Sequence, residues 1–167
     1  LLNEIAWSEP VLPRAEDPAW EAEAKREAGS YGEVYRRTAP LVWLRRAMLT
    51  ADTYPARHVP PRLWMIGNFV VAQENACRYC YGAGRAIMSM MGYSEAQISR
   101  IERDAHLAEL DEKERAFIQF CRSLARSKPR PARAELDRLI QLGFSPLATA
   151  ETAFVIASCC LYNRVTT

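Results

Sequence analysis

An all-α chain is predicted by three observations taken together. Apolar residues recur at helical spacing in segment after segment, caps and glycines punctuate those segments, and no run of alternating apolar and polar residues competes for a strand. Residues 1–17 hold Pro10 and Pro13 with little periodicity and read as an extended N-terminal arm. Residues 18–167 read as a single helical domain. Asp17-Pro18 supplies an N-cap followed by proline at the first helical position, which opens a polar helix through about Ala28 that Gly29 stops. Ser30 with Glu33 has the spacing of a capping box for a short second helix. Pro40 opens a third, whose apolar face is wide (Leu41, Val42, Trp43, Leu44, Met48), and Ala51 to Pro61 form a loop.

Pro61 to Gln73 is apolar nearly all round, the pattern of a helix buried between other helices, and we expect it to be the central element. Asn75 is positioned to cap a helix from about Ala76 to Met91 that ends at Gly92. Ser94 with Gln97 and Asp111 with Glu114 form capping boxes for two surface helices, each with one buried stripe: Ile98, Ile101 and Leu107 on the first, and Phe117, Phe120, Cys121 and Leu124 on the second. The second ends before Lys128-Pro129. Residues 131–142 repeat the pattern with Leu136, Leu139 and Ile140 and stop at Gly143, and Ser145-Pro146 opens a last apolar helix through about Tyr162. The run Ile87, Met88, Met90, Met91 reads as helix packing. The chain opens on Leu1 and stops at Thr167 directly after a helical pattern, so both ends are taken as provisional.

Composition excludes several function classes. The 22 Lys and Arg against 20 Asp and Glu leave a net charge of +2, so no global field draws nucleic acid or a membrane surface, and neither is expected as a partner. Arg126, Lys128, Arg130 and Arg133 border a proline turn without interleaved aromatics and read as a solvated cluster. No stretch approaches the ~18 apolar residues of a membrane helix, and Glu4 and Glu9 stand where a signal peptide needs basic and apolar residues. Five cysteines, an odd number with two adjacent at Cys159-Cys160, do not fit a secreted disulfide framework and point to the cytoplasm.

Chemistry concentrates at Cys77 and Cys80, in the run Asn75-Ala76-Cys77-Arg78-Tyr79-Cys80-Tyr81. On a helix, positions i and i+3 share a face with Cβ atoms roughly 5 to 6 Å apart, close enough for a disulfide to close with little backbone movement. Three readings stay open on spacing alone: a redox dithiol, half of a zinc site, or two buried small residues. Zinc needs four ligands. The candidates Cys121, Cys159, Cys160, His58 and His106 form no second CxxC or HxxxH unit, so no metal is expected. Cys121, Cys159 and Cys160 lie on apolar stripes and read as core, while His58 and His106 read as solvated. A thiolate is stabilised at a helix N-terminus or beside a cation, which makes Arg78 or Arg85 a candidate charge partner, while Glu74 either accepts a proton or repels the thiolate.

The order of elements resembles the alkyl hydroperoxidase D and carboxymuconolactone decarboxylase superfamily over residues 36–165. It runs from an apolar helix through Val71-Ala72 and a short polar joint to CxYC opening a second helix, then Gly92-Tyr93-Ser94-Glu95. Leu110 to Ala116, Leu139 to Ser145 and Asn163-Arg164 follow in order. The resemblance implies an all-helical homo-oligomer that needs no cofactor and uses the CxxC pair to reduce a peroxide or exchange a disulfide at the expense of a thiol electron donor. By the same resemblance Cys80 attacks and Cys77 resolves. The family's proton relay places Glu twelve residues before the first cysteine and His four residues after the second. Here those positions are Met65 and Gly84, neither of which moves a proton. A non-catalytic relative that keeps the scaffold as a ligand-binding or assembly module is the alternative. The decarboxylase branch does not rely on CxxC, so the intact pair argues against that activity.

Overall fold

Helix α4 (Pro61–Glu74) organises the part of the molecule that carries the thiol pair: in the computed structural model it packs against α5 (Arg78–Met90), α7 (Glu112–Ala125) and α9 (Pro146–Thr166). The structure describes residues 10–103, 110–126 and 133–166. Among these there are nine helices and no strand, the remaining ones being α1 (Pro18–Ala28), α2 (Glu33–Thr38), α3 (Val42–Thr53), α6 (Glu95–Arg103) and α8 (Arg133–Gln141). The described residues fall into two compact units that meet in sequence between Pro55 and Ala56.

In the first unit, Asp17 caps α1 by accepting from the Trp20 backbone N–H at 3.0 Å and pairs with Arg45 at 2.6 Å. Trp20 is buried, donates its indole N–H to the Tyr35 carbonyl, and meets the Tyr35 ring edge-on at 5.6 Å. The described part of the arm is tied to α2: Ala15 donates to the Arg36 carbonyl, and Arg14 pairs with Glu33. The predicted Ser30 cap does not form. Gly32 takes the N-cap position of α2 without a side-chain bond, because the helix starts two residues later than the Ser-Glu spacing requires.

The second unit is built around α4, whose buried residues Leu63, Ile66, Phe69, Val70 and Val71 point in all directions around its axis, as its composition predicts. Two glycines mark where its neighbours come closest. A Cβ on Gly67 would lie 3.2 Å from both Cys121 Sγ and the Phe117 ring of α7, and one on Gly84 of α5 would lie 2.9 Å from the Phe69 ring. Gly84→Ala is therefore expected to destabilise the fold by about 1 to 3 kcal/mol, read as a drop in urea midpoint at unchanged m-value.

Both predicted capping boxes of the surface helices form, at Ser94/Gln97 and at Asp111/Glu114. The buried face of α5 runs Cys77, Tyr81, Gly84, Met88, so only Met88 of the methionine run packs inside. Ile87, Met90 and Met91 fall on the outer face and are exposed, a correction that follows from the helix period. Helix α9 continues a turn beyond Tyr162, to Thr166. No helix among the described residues is long and apolar enough to cross a membrane.

Candidate active site

The thiol pair sits at the elbow between α4 and α5. Asn75 does not cap α5, contrary to the sequence expectation. Its backbone N–H bonds to the Val71 carbonyl and ends α4, while its buried side chain turns to α9, donating to Asn163 Oδ1 at 3.0 Å. Ala76 then reverses the chain at φ 52°, a left-handed conformation that costs a non-glycine residue about 1 to 2 kcal/mol. Cys77 becomes the N-cap of α5, its sulfur accepting the backbone N–H of Cys80 at 3.2 Å.

Cys77 and Cys80 are joined as a disulfide, with Cα atoms 5.4 Å apart. Their environments differ. Cys77 is 0% exposed, whereas Cys80 is half-buried. Reduced Cys77 would lie at the positive end of the α5 dipole with a backbone donor already aimed at it. Cys80 is thus the more exposed residue of the two.

One side chain reaches both sulfurs, and it was missed in the sequence. Thr166 Oγ1, in the last turn of α9, lies 3.2 Å from Cys77 Sγ and 3.0 Å from Cys80 Sγ, while also donating to the Tyr162 carbonyl at 2.8 Å. It is separated from the pair by 86 and 89 residues, and a threonine near the end of a helix carries no local signal of such a role.

The expected partners Glu74 and Arg85 are held elsewhere. Glu74 takes a two-pronged bond from Arg126 at 2.9 and 3.1 Å and faces Arg122 at 3.3 Å, tying the end of α4 to the end of α7. Arg85 bridges Glu95 and Glu102 of α6, and Tyr81 also donates to Glu102. Burial, reinforced by that bond to Glu102, pushes the Tyr81 hydroxyl up to about 12. For Arg85, burial opposes the charge but the two carboxylates outweigh it, so the guanidinium sits above its usual range. Gly84 is packed under Phe69, whose ring stacks on Tyr81 at 5.0 Å.

The remaining cysteines fit the core reading. Burial raises the Cys121 thiol far above its ordinary value, and it raises Cys159 to about 12, with Cys160 adding to the shift and Asn163 opposing it. His58 is exposed and His106 lies outside the described residues. Of the basic cluster, Arg126 is engaged by Glu74 and Arg133 by Asp137, while Lys128 and Arg130 also lie outside the described residues. Among the described residues no group of three or more His, Cys, Asp or Glu could hold a metal ion.

Comparison with known proteins adds the fold. The crystal structure of the debrominase Bmp8, in its apo form, aligns with a TM-score of 0.74 at 17% identity, covering 95% of this chain and 89% of that chain. At that identity the likeness establishes a shared all-helical architecture. No protein-family model matches the chain, and no curated protein matches it.

Proposed function

We propose that the protein is a thiol-disulfide oxidoreductase of the alkyl hydroperoxidase D type, working in the cytoplasm, with Cys80 as the attacking thiol and Cys77 as the resolving one. The observation that carries the reading is the asymmetric pair at the start of α5: a half-buried Cys80 beside a fully buried Cys77 whose sulfur already accepts a backbone N–H. In the peroxide reaction the Cys80 thiolate attacks the terminal oxygen of a hydroperoxide, the O–O bond breaks, the leaving alkoxide takes a proton from water to become an alcohol, and Cys80 becomes a sulfenic acid. Cys77 attacks that sulfur, water leaves, and the disulfide forms. A dithiol donor returns it to the reduced state by two exchange steps.

The shared fold with a debrominase supports a second electron acceptor for the same pair. Replacing carbon-bound bromine by hydrogen consumes two electrons and releases bromide, and a dithiol closing to a disulfide supplies two electrons. The test is consumption of hydrogen peroxide, an alkyl hydroperoxide and a brominated organic compound with dithiothreitol as donor. Turnover of any one above the donor-only rate supports the oxidoreductase. Turnover of none supports the scaffold module, which Met65 and the packed Gly84 favour by removing the family's relay.

Self-association is part of the same proposal. On α9, Leu147, Ala150, Phe154, Ala157 and Leu161 are all exposed, with Leu147, Phe154 and Leu161 at 62, 44 and 42%. They repeat every three or four residues along one line. An antiparallel two-fold between α9 and its copy sets Phe154 against Ala157, and Leu161 against Ala150, so these two large side chains each meet a small one. Phe154→Glu combined with Leu161→Glu is expected to turn a dimer or higher assembly into a monomer by light scattering. A wild-type monomer would remove the interface.

A further inference from the structure

The proposed reaction lacks a proton-handling group at the two positions where the family keeps one, and the structure brings a hydroxyl to the sulfurs from a different helix. We propose that Thr166 supports the attacking sulfur in a different way, by a hydrogen bond and not by proton transfer, its O–H turning between the Tyr162 carbonyl and the sulfur of Cys80 according to the redox state of the pair. This rests on the dithiol reading given above.

The geometry supplies both positions of the switch. Oγ1 is 2.8 Å from the Tyr162 carbonyl and 3.0 Å from Cys80 Sγ, so rotation about one side-chain bond exchanges one acceptor for the other. Disulfide sulfurs are weak acceptors, and with the pair oxidised the proton rests on the carbonyl. When the donor opens the disulfide, Cys80 becomes a thiolate, a far stronger acceptor, and the hydroxyl turns to it. A hydrogen bond given to the charged form favours that form. Cys77 gains the same kind of support from the Cys80 N–H and, at 3.2 Å, from Thr166 as well. One hydroxyl thus touches both sulfurs, while the helix N-terminus serves the buried one.

The ionisable groups on the elements packed around the pair have other bonds. On α4, Glu74 is held by Arg122 and Arg126. On α5, Arg85 is held by Glu95 and Glu102, with Tyr81 on Glu102, and Arg78 stands half-buried between the cysteines in sequence. On α9, Cys159 accepts from Asn163, Cys160 accepts from Asn75, Arg164 donates to Asn75, and Tyr162 offers its carbonyl to Thr166. Thr166 and the Cys80 backbone N–H both reach the sulfurs of the pair.

The experiment follows the rate of iodoacetamide alkylation of Cys80, located by peptide mass, against pH in fully reduced protein. Wild type, Thr166→Val and Thr166→Ser are compared, with circular dichroism as the folding check. Valine keeps the shape and removes the hydroxyl, so its alkylation profile should move up by about one pH unit, making it about tenfold slower near neutrality. Serine restores the hydroxyl and should stay within about twofold of wild type. A valine profile that overlays wild type, or a serine variant shifted as far as valine, overturns the role of Thr166 while leaving the dithiol chemistry standing. A wild-type pair that no reductant opens removes the dithiol chemistry, and this role with it.

Discussion

Cys80→Ser is expected to bring peroxide consumption down to the rate of the dithiol donor alone, a loss of at least about a hundredfold. Serine has nearly the same shape as cysteine, so the fold should survive and the loss should report chemistry. Cys77→Ser should behave differently. It keeps the accessible attacker and removes the buried partner, so the first peroxide is consumed at close to the normal rate and the reaction then stalls at the Cys80 sulfenic acid. A sulfenate-trapping reagent should label that variant at Cys80 and should not label Cys80→Ser. The reverse pattern, with label on Cys77, would assign the attack to the sulfur at the helix N-cap and would mean that the support of the Cys80 N–H at 3.2 Å outweighs access.

The second large effect is structural. Glu151 is buried on α9, and its carboxylate accepts the backbone N–H groups of Arg57, His58 and Val59 at 2.8, 2.7 and 2.8 Å, closing the loop that leads into α4. Removing the carboxylate in Glu151→Ala strands three donors. The Val59 donor is buried and the other two are part-exposed, so the loss is about 2 kcal/mol, a sizeable part of the ~5 to 15 kcal/mol that holds a domain together. Equilibrium urea unfolding should show it. Glu151→Gln keeps one acceptor oxygen but turns amide hydrogens towards donors, so it should fall between the two. A change under about 1 kcal/mol in the alanine variant would mean that water satisfies the loop equally well. Because α4 packs against α5, α7 and α9, thermal inactivation should follow the unfolding curve rather than precede it.

The helical architecture and the central place of α4 were legible because they depend on local patterns: apolar periodicity, proline at N1 and the capping boxes at Ser94/Gln97 and Asp111/Glu114. The i, i+3 spacing of the cysteines was legible for the same reason. What escaped the sequence was set by long-range contacts. Asn75 had the local credentials of a cap, yet its partner is Asn163, 88 residues away, and that buried bond outcompetes capping. Thr166 and Glu151 act on groups 86 to 94 residues distant, and neither residue type announces such a partner. Glu74 and Arg85 stood close to the cysteines in sequence, but the first is drawn to α7 and the second to α6 by opposite charges that no spacing rule revealed. The small side chain at Gly84 read as a missing relay residue, and the structure adds the packing reason, since the Phe69 ring occupies the room a larger side chain needs.

The most direct measurement is the redox titration of the pair itself. Protein equilibrated in buffers of graded dithiothreitol ratio, alkylated and weighed by mass spectrometry, should pass between two states that differ by two alkyl groups on the peptide holding Cys77 and Cys80. The transition should be reversible and have a two-electron slope. Two thiols that label fully in every buffer, or a pair that stays closed against the strongest reductant in the folded protein, would contradict the proposed chemistry at its first step.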